Sequence, residues 1–107
     1  MKLKLTALLL SACLSSFSHA QTRLPAQVIS AIETLNNGHD LQFIFENGAR
    51  QEGCSNSSII VKDGAMSERI LSIALSAYQA SHPVIFIVSG CTDGAMKGQA
   101  VSIKKAN

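Results

Sequence analysis

The chain of 107 residues has no tryptophan, one tyrosine, four phenylalanines and two prolines. Beyond the first twenty residues, which hold Phe17, the aromatics are Phe43, Phe45, Tyr78 and Phe86, all at positions patterned as core. No aromatic is left for the exposed platform that a sugar site uses. Catalytic groupings are missing as well. His39 sits in a turn and His82 before a proline, and Asp40, Glu46, Glu52, Asp63 and Asp93 have no partner at motif spacing. Ser89 to Gly94 lacks the G-x-S-x-G elbow of a nucleophile turn. The expectation is a non-enzyme with no catalytic residue, no cofactor and no metal site. Asp63-Gly64 and Asp93-Gly94 read as turns, and neither begins a calcium loop. Asn56-Ser57-Ser58 matches a glycosylation sequon, a motif too short to weigh here. There are no internal repeats, no low-complexity segments and no interdomain linker.

Long apolar runs are also lacking. Leu5 to Leu14 falls short of the roughly 20 residues that a membrane span needs. With Lys2 and Lys4 before it and Ser18-His19-Ala20 after it, the stretch has the form of an export signal cleaved before Gln21. Residues 1–20 are therefore expected to be a signal peptide and 21–107 a single domain, exported to a periplasm or the extracellular space. One alternative stays open. Leu10-Ser11-Ala12-Cys13 resembles a bacterial lipoprotein box, which would leave a lipid on Cys13 and bring a membrane into play.

Neither sign of charge is in excess after cleavage. Without Lys2 and Lys4 the nine Lys and Arg become seven, against seven Asp and Glu. A near-neutral surface argues against nucleic acid or anionic membrane as partner, because both call for a basic face. The expectation is no nucleic-acid partner.

What is there is organised around the stretch from Cys54 to Cys91. Cleavage leaves these two cysteines, and an even count in a small exported domain favours a disulfide. Closing that loop removes roughly 3.9 kcal/mol of unfolded-state entropy in the simple chain model. Two buried free thiols are the alternative. Before this stretch, Ala26 to Leu35 fits either a helical or a strand period. Its β-branched residues and the following Asn36-Asn37-Gly38 favour a strand and a turn. Leu41 to Glu46 alternates as a half-buried strand does, and Asn47-Gly48 marks another turn. Ala49 to Gly53 reads as a short strand or bulge. Ser58 to Val61 is a third strand.

The spacing predicts a helix from Ser67, as N-cap, to Gln79 or Ala80, stopped by Pro83. Glu68, Arg69, Ser72, Ser76 and Gln79 form a narrow polar stripe. Met66, Ile70, Leu71, Ile73, Ala74, Leu75, Ala77 and Tyr78 cover the rest, far more than the roughly 100° that one core contact needs. Deep burial of the helix is the first expectation, and Leu75→Asp should then cost several kcal/mol. Self-association is the second. Met66, Ile73 and Leu75, with Ser72 and Ser76, are the candidate oligomer-facing residues. Val84 to Val88 is apolar throughout, as a strand covered on both faces is. Gln99 to Lys104 alternates, with Val101 and Ile103 inward. The fold class is mainly β with one helix: a five-stranded OB-like barrel in the order β-β-β-α-β-β, tied by one disulfide.

The run I-L-S-I-A-L-S-A-Y-Q-A-S-H-P-V-I-F-I-V-S-G-C, with the earlier Cys54, resembles small exported bacterial OB-fold proteins. It is similar to the helix and fourth strand of pentameric toxin binding subunits, such as those of subtilase cytotoxin and pertussis-like toxins. The resemblance covers Cys54 to Cys91, and Gln21 to Gly53 only in element order. It implies an exported binding module, a homo-oligomer that recognises cell-surface glycan. No glycan-contacting residue of that family maps onto a position here. The alternative expectation is a monomeric or dimeric envelope protein that supports or inhibits another exported protein.

Overall fold

The computed structural model describes residues 21–104. The expected cleavage after Ala20 and the lipid alternative at Cys13 lie outside them. Six strands and one helix follow in the order β1 (Thr22–Arg23), β2 (Ile29–Leu35), β3 (Asp40–Phe45), β4 (Ile59–Val61), α1 (Ser67–Ala80), β5 (Val84–Thr92) and β6 (Ala95–Ile103).

The strands form one sheet in the order β1-β5-β6-β4-β3-β2. All neighbours are antiparallel except β4 and β6, which run parallel. β1 and β2 are two parts of one run, and that run closes the barrel. Leu24 N–H donates to Phe86 O at 2.9 Å, and Gln27 and Val84 exchange backbone bonds at 3.0 and 2.8 Å. Pro25, which has no N–H to give, interrupts the pairing between them. The expected five-stranded barrel is thus present with its first strand divided, so six strands are counted where five were read. Thr22–Arg23, ahead of the first strand expected, supplies the extra one.

The interior is filled by Phe43, Phe86, Ile59, Met96, Val84 and Val88, all fully buried. Phe43 and Phe45 pack on Phe86 with ring centres 5.1 and 5.9 Å away, tilted and edge-on, arrangements that suit the ring quadrupoles. Val84 to Val88 was expected to be covered on both faces. Instead Val84, Phe86 and Val88 point inward, while Ile85 and Ile87 are half-buried outside. A barrel has one interior, so alternate residues face out however apolar they are. Ile103, expected inward, lies opposite Val84 yet is 42% exposed, in a hollow it shares with Ala77, Ala80 and His82 at the end of the helix.

The turns carry the residues that their geometry demands. Asp93 and Gly94 link β5 to β6 with φ of 51° and 86°, the two positive values of a tight hairpin turn that Asp-Gly accepts best. Helix α1 begins one residue differently from the expectation. Its N-cap is Met66, with no side-chain cap, and Ser67 is the first helical residue. The Ser67 hydroxyl donates to Gly64 O at 2.8 Å instead. At the other end Ser81 turns left-handed and His82 N–H donates to Ala77 O at 2.9 Å, which satisfies a terminal carbonyl.

Helix α1 lies against β2, β3 and β6. Ile70, Ala74 and Ala77 enter the core and Leu71 is half-buried. The deep burial expected of this helix does not occur. Met66, Ile73, Leu75 and Tyr78 are exposed by 36% to 49%. One face touches the barrel, and among the described residues the apolar side chains on both flanks are left partly uncovered.

Candidate functional site

Register brings together what the chain order keeps apart. Gln42 pairs with Ile60 across β3 and β4, and Ile60 pairs with Lys97 across the parallel β4 and β6. All three side chains project outside the barrel, since Ile59, Val61 and Met96 beside them are buried. Gly98 makes this close parallel approach feasible. A Cβ there would meet Ile59 Cγ2 at 2.8 Å and Val61 Cγ2 at 2.9 Å, a clash that the packed neighbours could not relieve cheaply.

Beside this row is a groove of about 380 Å³, between β4, β6 and the start of α1. Ile60, Lys62 and Met66 line it from β4 and the start of α1, and Lys97 and Gln99 line it from β6. The two lysines are 35 positions apart in sequence and border the same groove. They differ in availability. Lys62 Nζ is 3.6 Å from Asp40 Oδ2. Lys97 has no ion pair among the described residues.

Asp40 is buried and ties the first hairpin to the chain after β4. Asp63 N–H donates to its Oδ1 at 3.0 Å, and the Asn36 amide donates to its Oδ2. The Asp63 N–H, then the Asn36 amide, hold its carboxyl below the usual carboxylate value, and Lys62 adds to this against the opposing effect of burial. Bonds made to the charged form favour that form. Asp40 is thus a structural anion that also occupies part of Lys62.

The groove offers positive charge, amides and an apolar lining, but no aromatic ring. Tyr78 is the exposed aromatic among the described residues, and it lies on α1 away from the groove. Phosphate oxygens are what such lysines and amides bind. Stacking of bases on rings is not available here.

The residues singled out in the sequence are placed as follows. Cys54 and Cys91 are bonded, with Cα atoms 5.5 Å apart. Of the helical residues taken as oligomer-facing, Met66 and Ile73 lie on one flank and Leu75 on the other, about 160° from Ile73 around the axis. Ser72 and Ser76 are exposed in the polar stripe between. They are not brought together as one apolar face. Sequence reasoning did not single out Ile60, Lys62, Lys97 or Gln99. The available signal was the alternation around Lys97, but the partner strand across a parallel pairing has no local mark.

No protein-family model and no curated protein matches the chain. Among solved structures it is similar to the mitochondrial single-stranded DNA binding protein Rim1 of S. cerevisiae. One crystal structure of that protein matches with a TM-score of 0.56 at 11% identity, over 85% of this chain and 100% of the other. A second, selenomethionine-labelled, matches with a TM-score of 0.53 at 12% identity over the same shares. At such identity the likeness shows the fold: this chain has an OB-fold. The comparison also corrects two expectations. The similar structures are single-stranded DNA binding proteins, not toxin subunits, which overturns the glycan or exported-protein partner and the exclusion of nucleic acid. The physical reason is that net charge averages the whole surface and does not report a local grouping such as Lys62 and Lys97, which line one groove.

Proposed function

We propose that this chain is a non-enzymatic OB-fold binding module for single-stranded nucleic acid. The ligand lies across β4 and β6, with phosphates at Lys97 and Lys62 and the sugar or base edge over Ile60. The observation that carries the reading is the lysine-bordered groove on a barrel whose fold neighbours are single-stranded DNA binding proteins. Because two lysines can neutralise about two phosphates, log K should fall against log salt with a slope of about −1.4, at about −0.7 per phosphate on a single strand. Lys97 contributes more than Lys62, which shares its charge with Asp40.

Export through a leader cleaved before Gln21 is part of the same proposal. The Cys54–Cys91 bond supports it, since such bonds persist in oxidising compartments. Mass spectrometry of the purified chain's N-terminus should find Gln21, and a lipid on Cys13 would replace the soluble form by an anchored one.

Fluorescence anisotropy with a labelled thymidine oligonucleotide tests the ligand. Binding at low salt, the shallow slope, and a clear loss in Lys97→Gln are expected. Absence of binding at about 10 mM salt, where screening is weak, or an unaltered affinity in Lys97→Gln, sinks the reading.

A further inference from the structure

The two cysteines of the disulfide have unlike surroundings. Cys54 is buried at 6% exposure, while Cys91 is exposed. Cys91 follows a bulge in β5: Val88 pairs with Gly98 and Cys91 with Met96, so Ser89 and Gly90 are squeezed out of step. Gly90 takes a φ of 79° there. The bond joins this bulged strand end to the connection from Glu46 to Ser58, which has no strand or helix of its own.

Apart from the disulfide and the packing of Ala49 and Cys54 on the core, polar contacts hold that connection. Ala49 N–H donates to Gln27 Oε1 at 2.9 Å, and Gln51 Nε2 donates to Thr22 Oγ1 at 2.8 Å. Gly90 N–H donates to Gln51 Oε1 at 3.0 Å, and Ser55 and Asn56 N–H both donate to Gly94 O at 3.0 Å. The closure of the barrel uses other residues, the Leu24–Phe86 and Gln27–Val84 bonds. Breaking the sulfur bond removes a tie from the connection and leaves those intact.

We propose that Cys54–Cys91 is a reversible clamp on residues 46–58, opened from the solvent side by a dithiol that attacks Cys91. The reductant's thiolate bonds to Cys91 Sγ, the Sγ–Sγ bond breaks, and its electron pair leaves on Cys54 Sγ, which takes up a proton. The second thiol of the reductant then displaces Cys91 and closes its own disulfide. Two electrons have moved, the chain holds two thiols, and the dithiol is oxidised. The freed Cys54 stays beside Gly90 O, already 3.8 Å from its sulfur. The connection loosens, while the barrel stays folded. This inference does not depend on what the groove binds.

Two single variants and one reduction test it. In folded Cys54→Ser the remaining Cys91 should react with a water-soluble aromatic disulfide at about the rate of an unfolded peptide thiol. In folded Cys91→Ser the remaining Cys54 should react at least about tenfold more slowly. With dithiothreitol the intact wild-type chain should be reduced faster than it unfolds globally. It should keep a cooperative melt, with amide exchange speeding up in 46–58 and around Cys91. Equal reactivity of the two thiols, reduction only at the global unfolding rate, or faster exchange throughout the barrel overturns the proposal. If neither variant folds, the reduction of wild-type chain decides alone.

Discussion

The barrel interior and the 46–58 connection are held by opposite means. Around Phe86 there is almost nothing but apolar contact: Phe43, Phe45, Val84 and Val88 pack together with no buried charge among them. In the connection, where only Ala49 and Cys54 reach the core among the described residues, single hydrogen bonds and one covalent bond do most of the holding of a backbone that has no ladder. Dispersion and the hydrophobic effect are distributed, so they resist any local event until the whole core opens. A few discrete ties can be released one at a time. The difference teaches where this small domain keeps its stability and where it can change shape.

Substitutions can break or sharpen that contrast. The largest effect is expected at Phe86→Ala, which empties the centre of the aromatic cluster and should cost about 4–5 kcal/mol. Denaturant unfolding measures it, and a loss below about 2 kcal/mol would mean the interior collapses around the gap. Next, Cys91→Ser opens a bridge spanning 37 residues, worth about 3.9 kcal/mol in the chain-entropy model. Melting of the variant should be lower but still cooperative. A non-cooperative trace would show that the barrel leans on the bond.

Asp40→Asn is a smaller, pH-dependent change. The Asp40 carboxyl is held below the usual carboxylate value by the Asp63 N–H and the Asn36 amide, so its contribution is present above the unfolded value and is lost as pH falls through the folded one. Wild type should therefore lose melting temperature below about pH 4 more steeply than Asp40→Asn. Parallel acid slopes for the two would remove Asp40 as an anchor. The smallest effect is expected at Leu75→Asp. Leu75 is 41% exposed on the flank of α1, so the loss should stay within about 0.5 kcal/mol. A loss of several kcal/mol with a fall in solution mass would show that a second copy covers that flank.

Much of the architecture was legible in local chemistry. Asp93-Gly94 read as a turn between two strands, and Pro83 had to end the helix before it. The Leu41 to Phe45 alternation placed Phe43 inward. Two features were not legible. The breadth of apolar surface on α1 records what could be buried, not how much barrel is there to bury it, and Ile73 and Leu75 stayed outside. The groove was missed because Lys97 owes its place beside Ile60 to a parallel pairing across 37 positions. Composition also misled, since a neutral total conceals a local pair of lysines.

The strands from Ile29 onward, the turn positions, the C-terminal limit of the helix and the candidate pairing of Cys54 with Cys91 were legible in the sequence alone, because each rests on interactions among near neighbours or on a simple count. Only the tertiary structure decided how much of α1 meets the barrel, that Cys91 is exposed while Cys54 is buried, and that Lys62 and Lys97 border one groove. These depend on strand register and on where the barrel runs out of interior, and both are set by distant residues acting together.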